Sequence, residues 1–381
     1  AGPVTGDVRL PMEAYVAAVA ALPDVGPVRL RRLLALGTPA VVWDLVLRGR
    51  AGRAPGVDAP LAARWREAAA AVDPAALWAR CEALGVGVAC LGGPGYPSVL
   101  ADDPDPPVVL FHRGSPEVLL APRVAVVGTR RATPYGLAVA RRLGADLAAA
   151  GVCVVSGLAL GIDAAAHAGA VAARGGSGWA PPAAVVGSGL DAPCPIANRR
   201  LCASVVADGI VMSEVPPGVA AAPWRFPVRN RVLAALAEVV VVVESAGAGG
   251  SMHTVREAVE RGRTVLAVPG PVDSPVSVGP HELLADGAGI CTGAPDVLGY
   301  LGPQRATSEG PTSSGPAEQV RPRPSPAAAA LLERIGWLPV GVARAVALAG
   351  TEVPVAAALL DELEHGGWIE VDDGTVVRRA P

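Results

Sequence analysis

The sequence predicts a doubly wound α/β domain flanked by a small helical domain and a winged helix. Three observations carry that prediction. Between residues 85 and 301, short β-branched runs alternate with alanine-rich stretches of helical length. Before them, apolar stripes recur at helical spacing between Gly and Pro breaks. After them, a segment rich in Pro, Ser and Gly gives way to three short helical patterns and a hairpin signal.

In residues 1–84 the helical stretches are "MEAYVAAVAAL", "VRLRRLLALG", "PAVVWDLVL", "LAARWREAAAAV" and "PAALWARCEALG". Within them "LPDVGPVRLRRLL" has the shape of a helix-hairpin-helix turn, where glycine lets backbone N–H groups approach a phosphate at a helix start. The second turn glycine is missing, so both a DNA contact and an ordinary helical turn stay open.

The runs "VGVACL", "VVLFHRG", "RVAVVG", "VCVVSG", "AAVVGSG", "GIVMSE", "VVVVVES" and "TVLAVPG" follow. Consecutive apolar positions imply strands buried on both faces, and helical connections imply parallel pairing. Residues 302–326 contain almost nothing that could join a core and read as a flexible linker. Residues 327–381 give helix, helix, helix and a hairpin turning at Asp373-Gly374, the order of a winged helix. Its third helix carries Glu352, Asp361, Glu362 and Glu364 against no arginine, which favours a protein partner or modulation of the main domain over DNA.

Composition narrows the function classes. The chain has 381 residues, 51% of them hydrophobic, enough for two or three domains with real cores. No run approaches the ~20 apolar residues that span a bilayer, and the N-terminus lacks a basic-then-apolar signal pattern. A cytoplasmic location without membrane contact is expected. The cysteines at 81, 90, 153, 194, 202 and 291 are scattered, without a C-x-x-C pair or a histidine at ligand spacing, so buried thiols and no metal are expected. Every basic residue is arginine. The net charge of −3 confines any nucleic-acid site to a local patch.

In a parallel α/β sheet, ligands bind beyond the carboxyl ends of strands. There the sequence places Gly128-Thr129-Arg130-Arg131, Ser156-Gly157, Gly187-Ser188-Gly189, and Glu244-Ser245 followed by Gly247, Gly249, Gly250 and Ser251. Pro134 fits the first turn of a helix and would leave the N–H groups of the preceding loop free to face an anion. Gly128 and Gly250 are expected to need backbone freedom or close phosphate approach. A Walker loop needs a lysine, which the chain lacks. "GTRRATPYG" is no dinucleotide fingerprint, a G-x-S-x-G elbow is absent, and no histidine pairs locally with Ser or Cys, so catalysis and a bound cofactor find little support. Arg130, Arg131, Arg199, Arg200, Arg225, Arg229 and Arg231 form a row suited to a phosphate polymer, with Trp224 and Phe226 able to stack on bases. On these residues alone, a single-stranded nucleic acid leads a nucleotide enzyme and a purely structural role.

The ordered segments "VAVVGTRRATPYG", "VVSGLALGIDAAAHAGA", "GSGLD", "PIANRRL", "SEVPPG", "FPVRNRVLAALA", "VVVES" and "GGSMHTVREAVERGRTVLAVPG" closely resemble the DNA-processing protein A (DprA/Smf) family over about residues 95–290. The resemblance implies a Rossmann-like domain that dimerises, binds single-stranded DNA and helps load the RecA recombinase during natural transformation, without known catalysis. A single-strand binding protein is a further implied partner. By position, Gly128, Thr129 and Arg130 match the family's Gly-Ser-Arg phosphate turn. Phe226, Arg229, Asn230 and Arg231 match its F-P-x-R-N-R segment, and Gly249, Gly250, Ser251 and Thr254 match a later turn. Arg131, Ser156, Gly157, Asn198 and Arg199 are added as candidates for the same DNA site, and no catalytic residue, metal or cofactor is expected.

Leu160 stands where the family usually has Arg, Cys194 replaces a Tyr, and His253 lies inside the later turn. Asp163 and His167 also match, and read as satisfied polar residues that fix a loop. A second resemblance, to Rossmann-like nucleotide hydrolases of the lysine-decarboxylase-like, cytokinin-activating class, rests on "GAGGSMHTVREA" with Glu257 as the acidic residue.

Overall fold

The computed structural model describes residues 10–193, 195–301, 322, 324–335, 340–372 and 375–378. The chain divides into two compact units, Pro97–Gly310 and a unit formed by Ala1–Tyr96 with Pro311–Pro381. Cys194, most of the 302–326 segment and the Asp373-Gly374 turn lie outside the described residues.

The N-terminal part of the first unit holds helices α1 (Met12–Ala20), α2 (Pro27–Leu34), α3 (Pro39–Leu47), α4 (Ala59–Ala70) and α5 (Pro74–Ala83), followed by strand β1 (Gly87–Cys90). Proline opens α2 to α5, where its missing N–H costs nothing. Asp58 caps α4 by accepting from Leu61 N at 2.9 Å. Trp65 is fully buried, and its indole N–H donates to Pro23 O at 2.7 Å, so the largest core residue leaves no unpaired donor.

The second unit contains α6 (Ser98–Ala101), β2 (Val109–Gly114), β3 (Arg123–Val127), α7 (Pro134–Ala149), β4 (Cys153–Ser156), α8 (Ile162–Ala172), β5 (Ala183–Val186) and α9 (Arg199–Asp208). It continues with β6 (Ile210–Ser213), α10 (Arg225–Leu236), β7 (Val239–Val242), α11 (Ser251–Glu260), β8 (Thr264–Ala267), α12 (Val278–Ala285), β9 (Gly289–Ile290) and α13 (Ala294–Tyr300). Its strands lie in the order β2-β6-β5-β4-β3-β7-β8-β9. Every residue of β4, β5, β6 and β7 is buried, as expected of strands covered on both faces.

Pairing is parallel from β6 through β9, and antiparallel between β2 and β6. The all-parallel expectation is therefore corrected at one edge. Strand β9 was not foreseen. The order reverses direction between β3 and β7, where the crevice for a ligand opens in sheets of this kind.

The C-terminal part of the first unit contains α14 (Pro326–Ile335), β10 (Val340–Gly341), α15 (Val342–Ala349), α16 (Val353–His365), β11 (Ile369–Asp372) and β12 (Thr375–Arg378). Its antiparallel sheet runs β10-β12-β11. Leu331, Leu332, Ile335, Leu360, Leu363 and Ile369 form its core.

Candidate nucleic-acid interface

The turn after β3 is stitched to the end of β7. Thr129 N donates to Glu244 O at 2.7 Å, and Ile162 N at the start of α8 donates to Thr129 O at 3.3 Å. Gly128 sits in the middle of this joint. A Cβ there would lie 2.5 Å from Ile162 Cγ1 and 2.7 Å from Glu244 O, so only glycine fits.

Glu244, only 2% exposed, turns its carboxylate under the start of α7. It accepts from Thr133 N at 2.9 Å and from Thr133 Oγ1 at 2.5 Å, while Thr133 Oγ1 caps Gly136 N at 3.2 Å. The anion facing this helix N-terminus is thus an internal one. This corrects the expectation that the loop before Pro134 offers free N–H groups. The sequence places Glu244 at this edge but does not reveal that its carboxylate caps α7.

The side chains of the same turn point elsewhere. Arg130 and Arg131 are exposed, and Thr129 is partly so. The Arg130 guanidinium carbon stands 5.0 Å from the centroid of the Phe226 ring, a cation–π arrangement that fixes both groups. Phe226 in turn lies against the end of β5, where a Cβ on Gly187 would be 3.3 Å from its ring. Arg225 stacks on the half-exposed Trp224 at 5.0 Å. Arg199 and Arg200 are exposed at the start of α9.

Beneath this surface lies a buried polar layer. Ser156 Oγ donates to Val126 O at 2.6 Å, and Gly157 N donates to the Asp163 carboxylate at 3.1 Å. Arg229 donates to Val185 O at 2.7 Å and is only 7% exposed. A Cβ on Gly157 would collide with the Arg229 guanidinium and the Asp163 carboxylate, so these two charges flank one glycine. Burial pushes the Asp163 carboxyl up against the opposing pull of Arg229, and pushes Arg229 down to about 10.

Asn198 Nδ2 donates to Leu158 O at 2.9 Å and Ala159 O at 3.1 Å. It thereby holds Leu158 in a left-handed conformation at φ 52°, which a leucine adopts only under constraint. His167 is half satisfied, since Nε2 meets Ala183 O at 3.1 Å while buried Nδ1 has no partner. Burial lowers it to about 4, so it is neutral at pH 7.

The later turn packs on α10. Asn230 Nδ2 donates to Gly250 O at 3.2 Å, Ser251 Oγ donates to Ser245 Oγ at 2.7 Å, and Thr254 is buried. Gly250 is exposed with an ordinary helical backbone at φ −59°, and a Cβ there would meet open space. The fold therefore does not require glycine at 250 for backbone freedom, which leaves close phosphate approach as the alternative.

Two arginines leave the expected row. Arg229 and Arg231 are both buried, because eight successive residues of α10, Arg229 through Leu236, are enclosed. Arg231 is held by Glu214 at 2.5 Å and by Asp105 at 3.2 Å, an ion network that consumes its charge. Glu257 is likewise taken by Arg261 at 2.6 Å, and Arg261 also binds Asp103 at 2.8 Å. Leu160 is 43% exposed on the loop that Asn198 anchors. His253 packs against Arg256 in α11. The structure thus brings exposed Arg130 onto half-buried Phe226 beside exposed Arg131, above buried Ser156, Gly157 and Arg229, and sets exposed Arg199 next in sequence to buried Asn198. It leaves Arg231 apart.

The profile of the DNA recombination-mediator protein A family matches residues 87–302. Protein Smf of Escherichia coli (strain K12) is 37% identical over 287 residues, covering 74% of this chain and 75% of that protein. Among solved structures, DNA processing protein A (DprA) from Streptococcus pneumoniae superposes with a TM-score of 0.63 at 33% identity, covering 76% of this chain and 98% of the other. DNA processing protein A from Helicobacter pylori, described for its unique single-stranded DNA binding mode, gives 0.50 at 27% identity, covering 57% and 95%.

Proposed function

The chain belongs to the DNA recombination-mediator protein A family, and on that premise we propose that it binds single-stranded DNA along the carboxyl edge of its parallel sheet. The observation that carries this reading is the Arg130 guanidinium seated on the Phe226 ring, a charged and an aromatic group held ready together beside the switch point. Arg130, Arg131 and Arg199 grip phosphates, and Phe226 and Trp224 stack on bases. Gly128, Thr129, Gly249 and Gly250 let the DNA backbone approach. Ser156, Gly157, Asn198, Arg229, Asn230, Ser251 and Thr254 position that surface from below, and Arg231 stabilises the fold.

In the same proposal the chain is a cytoplasmic homodimer that protects incoming strands and loads the RecA recombinase on them during natural transformation, beside a single-strand binding protein. It is a mediator without a catalytic step, metal or cofactor. Residues 1–84 form its helical domain, 85–301 its Rossmann-like DNA-binding domain, 302–326 a linker and 327–381 a winged helix. The element order in the C-terminal part supports the last assignment. The exposed acids Glu352, Asp361, Glu362 and Glu364 repel phosphate there. A nucleotide hydrolase is disfavoured, because Arg261 occupies Glu257 and Glu244 occupies the α7 N-terminus.

Arg130→Ala should weaken binding to oligo-dT by about tenfold, roughly 1.4 kcal/mol, and flatten the salt slope by about 0.7. Arg231→Ala should leave that slope alone but cost about 3–5 kcal/mol in unfolding, since it strands Glu214 and Asp105. Filter binding across a salt series decides between them. Parent-like affinity in Arg130→Ala would remove the proposed track. Deleting residues 322–381 should keep affinity within about threefold, about 0.65 kcal/mol.

A further inference from the structure

The helical part of the first unit holds a separate arginine cluster. The segment Arg48–Val57, "RGRAGRAPGV", contains Arg48, Arg50 and Arg53 and no acidic residue. A short helical turn over Ala51–Arg53 anchors it through buried Ala51 and Ala54, which leaves Arg50 and Arg53 exposed. Arg66 of α4 lies across the segment, where a Cβ on Gly49 would stand 3.2 Å from its Cδ. Arg32 of α2 reaches the other end and donates to Pro55 O at 3.2 Å. A hollow of about 340 Å³ on the Arg66 side is lined by Gly49, Gly52, Val57, Ala62 and Arg66.

The neighbouring acids are already engaged. Asp44 pairs with Arg48 at 2.7 Å, Asp24 pairs with Arg64 at 2.9 Å, and Asp58 caps α4. Glu67 lies about 100° further round its helix than Arg66. Arg50, Arg53 and Arg66 enter no ion pair among the described residues. Unneutralised guanidinium groups around glycines, whose bare backbone admits close approach, suit a phosphodiester chain.

We propose that this cluster is a second DNA-binding surface, and that it takes the backbone of double-stranded DNA. The preference follows from what is missing beside the arginines. Trp43 and Trp65, the tryptophans of α3 and α4, are buried, so neither can stack on an unpaired base. Affinity then comes from phosphate neutralisation alone, and a duplex presents one charge per ~1.7 Å of its axis, twice the density of one strand. The sheet edge with its rings has the opposite preference.

The test uses the full chain, a labelled blunt duplex and a short oligo-dT, with fluorescence anisotropy read across a salt series. The triple variant Arg50→Gln, Arg53→Gln, Arg66→Gln should lose duplex affinity by about tenfold or more and lower the duplex salt slope by about 2.7, while its oligo-dT affinity stays within about twofold. Arg130→Ala should do the reverse. The melting temperature of the triple variant confirms that it is folded, and Arg50→Gln, Arg53→Gln without the third change serves if it is not. Parent-like duplex binding by a folded variant, or equal loss on both ligands, overturns the proposal. Because Arg130→Ala tests the sheet edge separately, failure of one surface is distinguishable from failure of the other.

Discussion

Gly128→Ala should destabilise the chain by about 3 kcal/mol, whereas Gly250→Ala should change stability by about 0.5 kcal/mol or less. The added methyl at 128 falls 2.5 Å from Ile162 Cγ1 and 2.7 Å from Glu244 O. Neither neighbour can retreat cheaply. Glu244 O is the acceptor for Thr129 N, and Ile162 N is bonded to Thr129 O, so yielding space would open the joint between β3, β7 and α8. At 250 the backbone is already helical and a Cβ meets nothing within 4 Å. Urea midpoints measure the contrast, and a cost below about 1 kcal/mol at 128 would mean that the joint relaxes. If Gly250→Val keeps its stability but loses oligo-dT binding, DNA is what approaches that glycine.

Lowering the pH from 6.5 to 4 should remove about 3 kcal/mol of stability through His167. The sign follows from where protons bind. In the unfolded chain this imidazole protonates near 6.5, but burial holds it down to about 4 in the folded state, and the nearby Arg229 charge adds to the penalty. Between those values the unfolded state binds the extra proton, so this contribution is whole above 6.5 and is lost as the pH falls. Asp163 acts in the opposite direction, since burial raises its carboxyl and favours protonation in the folded state. The comparison must therefore be between variants. His167→Gln retains an amide donor for Ala183 O without a titrating ring, and its stability should depend less on pH across the window. Parallel curves for parent and variant would show that His167 does not titrate as described.

The strands were legible because four buried β-branched residues in a row, as in Val239–Val242, have no other common explanation. Strand direction was not. The antiparallel pairing of β2 with β6 leaves no mark on composition, and the two residues Gly289–Ile290 of β9 are too few to form a pattern. At the site, exposed Arg130 and Arg131 were readable from their place after β3. The burial of Arg229 and Arg231 was not legible, because α10 is enclosed on every side over its last eight residues. A helix buried all round has no periodicity to betray which polar groups lie inside. The role of Glu244 was illegible for a different reason, since its partner Thr133 is 111 residues away in sequence.

The carboxylate of Glu244 also fills the place where a small anion would sit. An unoccupied helix start at the switch point would attract any small phosphate compound, including free mononucleotides, which would then compete with DNA for the same place. Here that place is filled from within, and a mononucleotide would have to displace a buried, doubly hydrogen-bonded carboxylate while offering only one or two phosphates in return. On the proposed reading a long strand does not need the place, because it would gather its affinity over several exposed arginines at once. If the proposed DNA reading holds, the internal carboxylate makes the site discriminate by ligand length, and free mononucleotide added at millimolar concentration should leave oligo-dT binding unchanged.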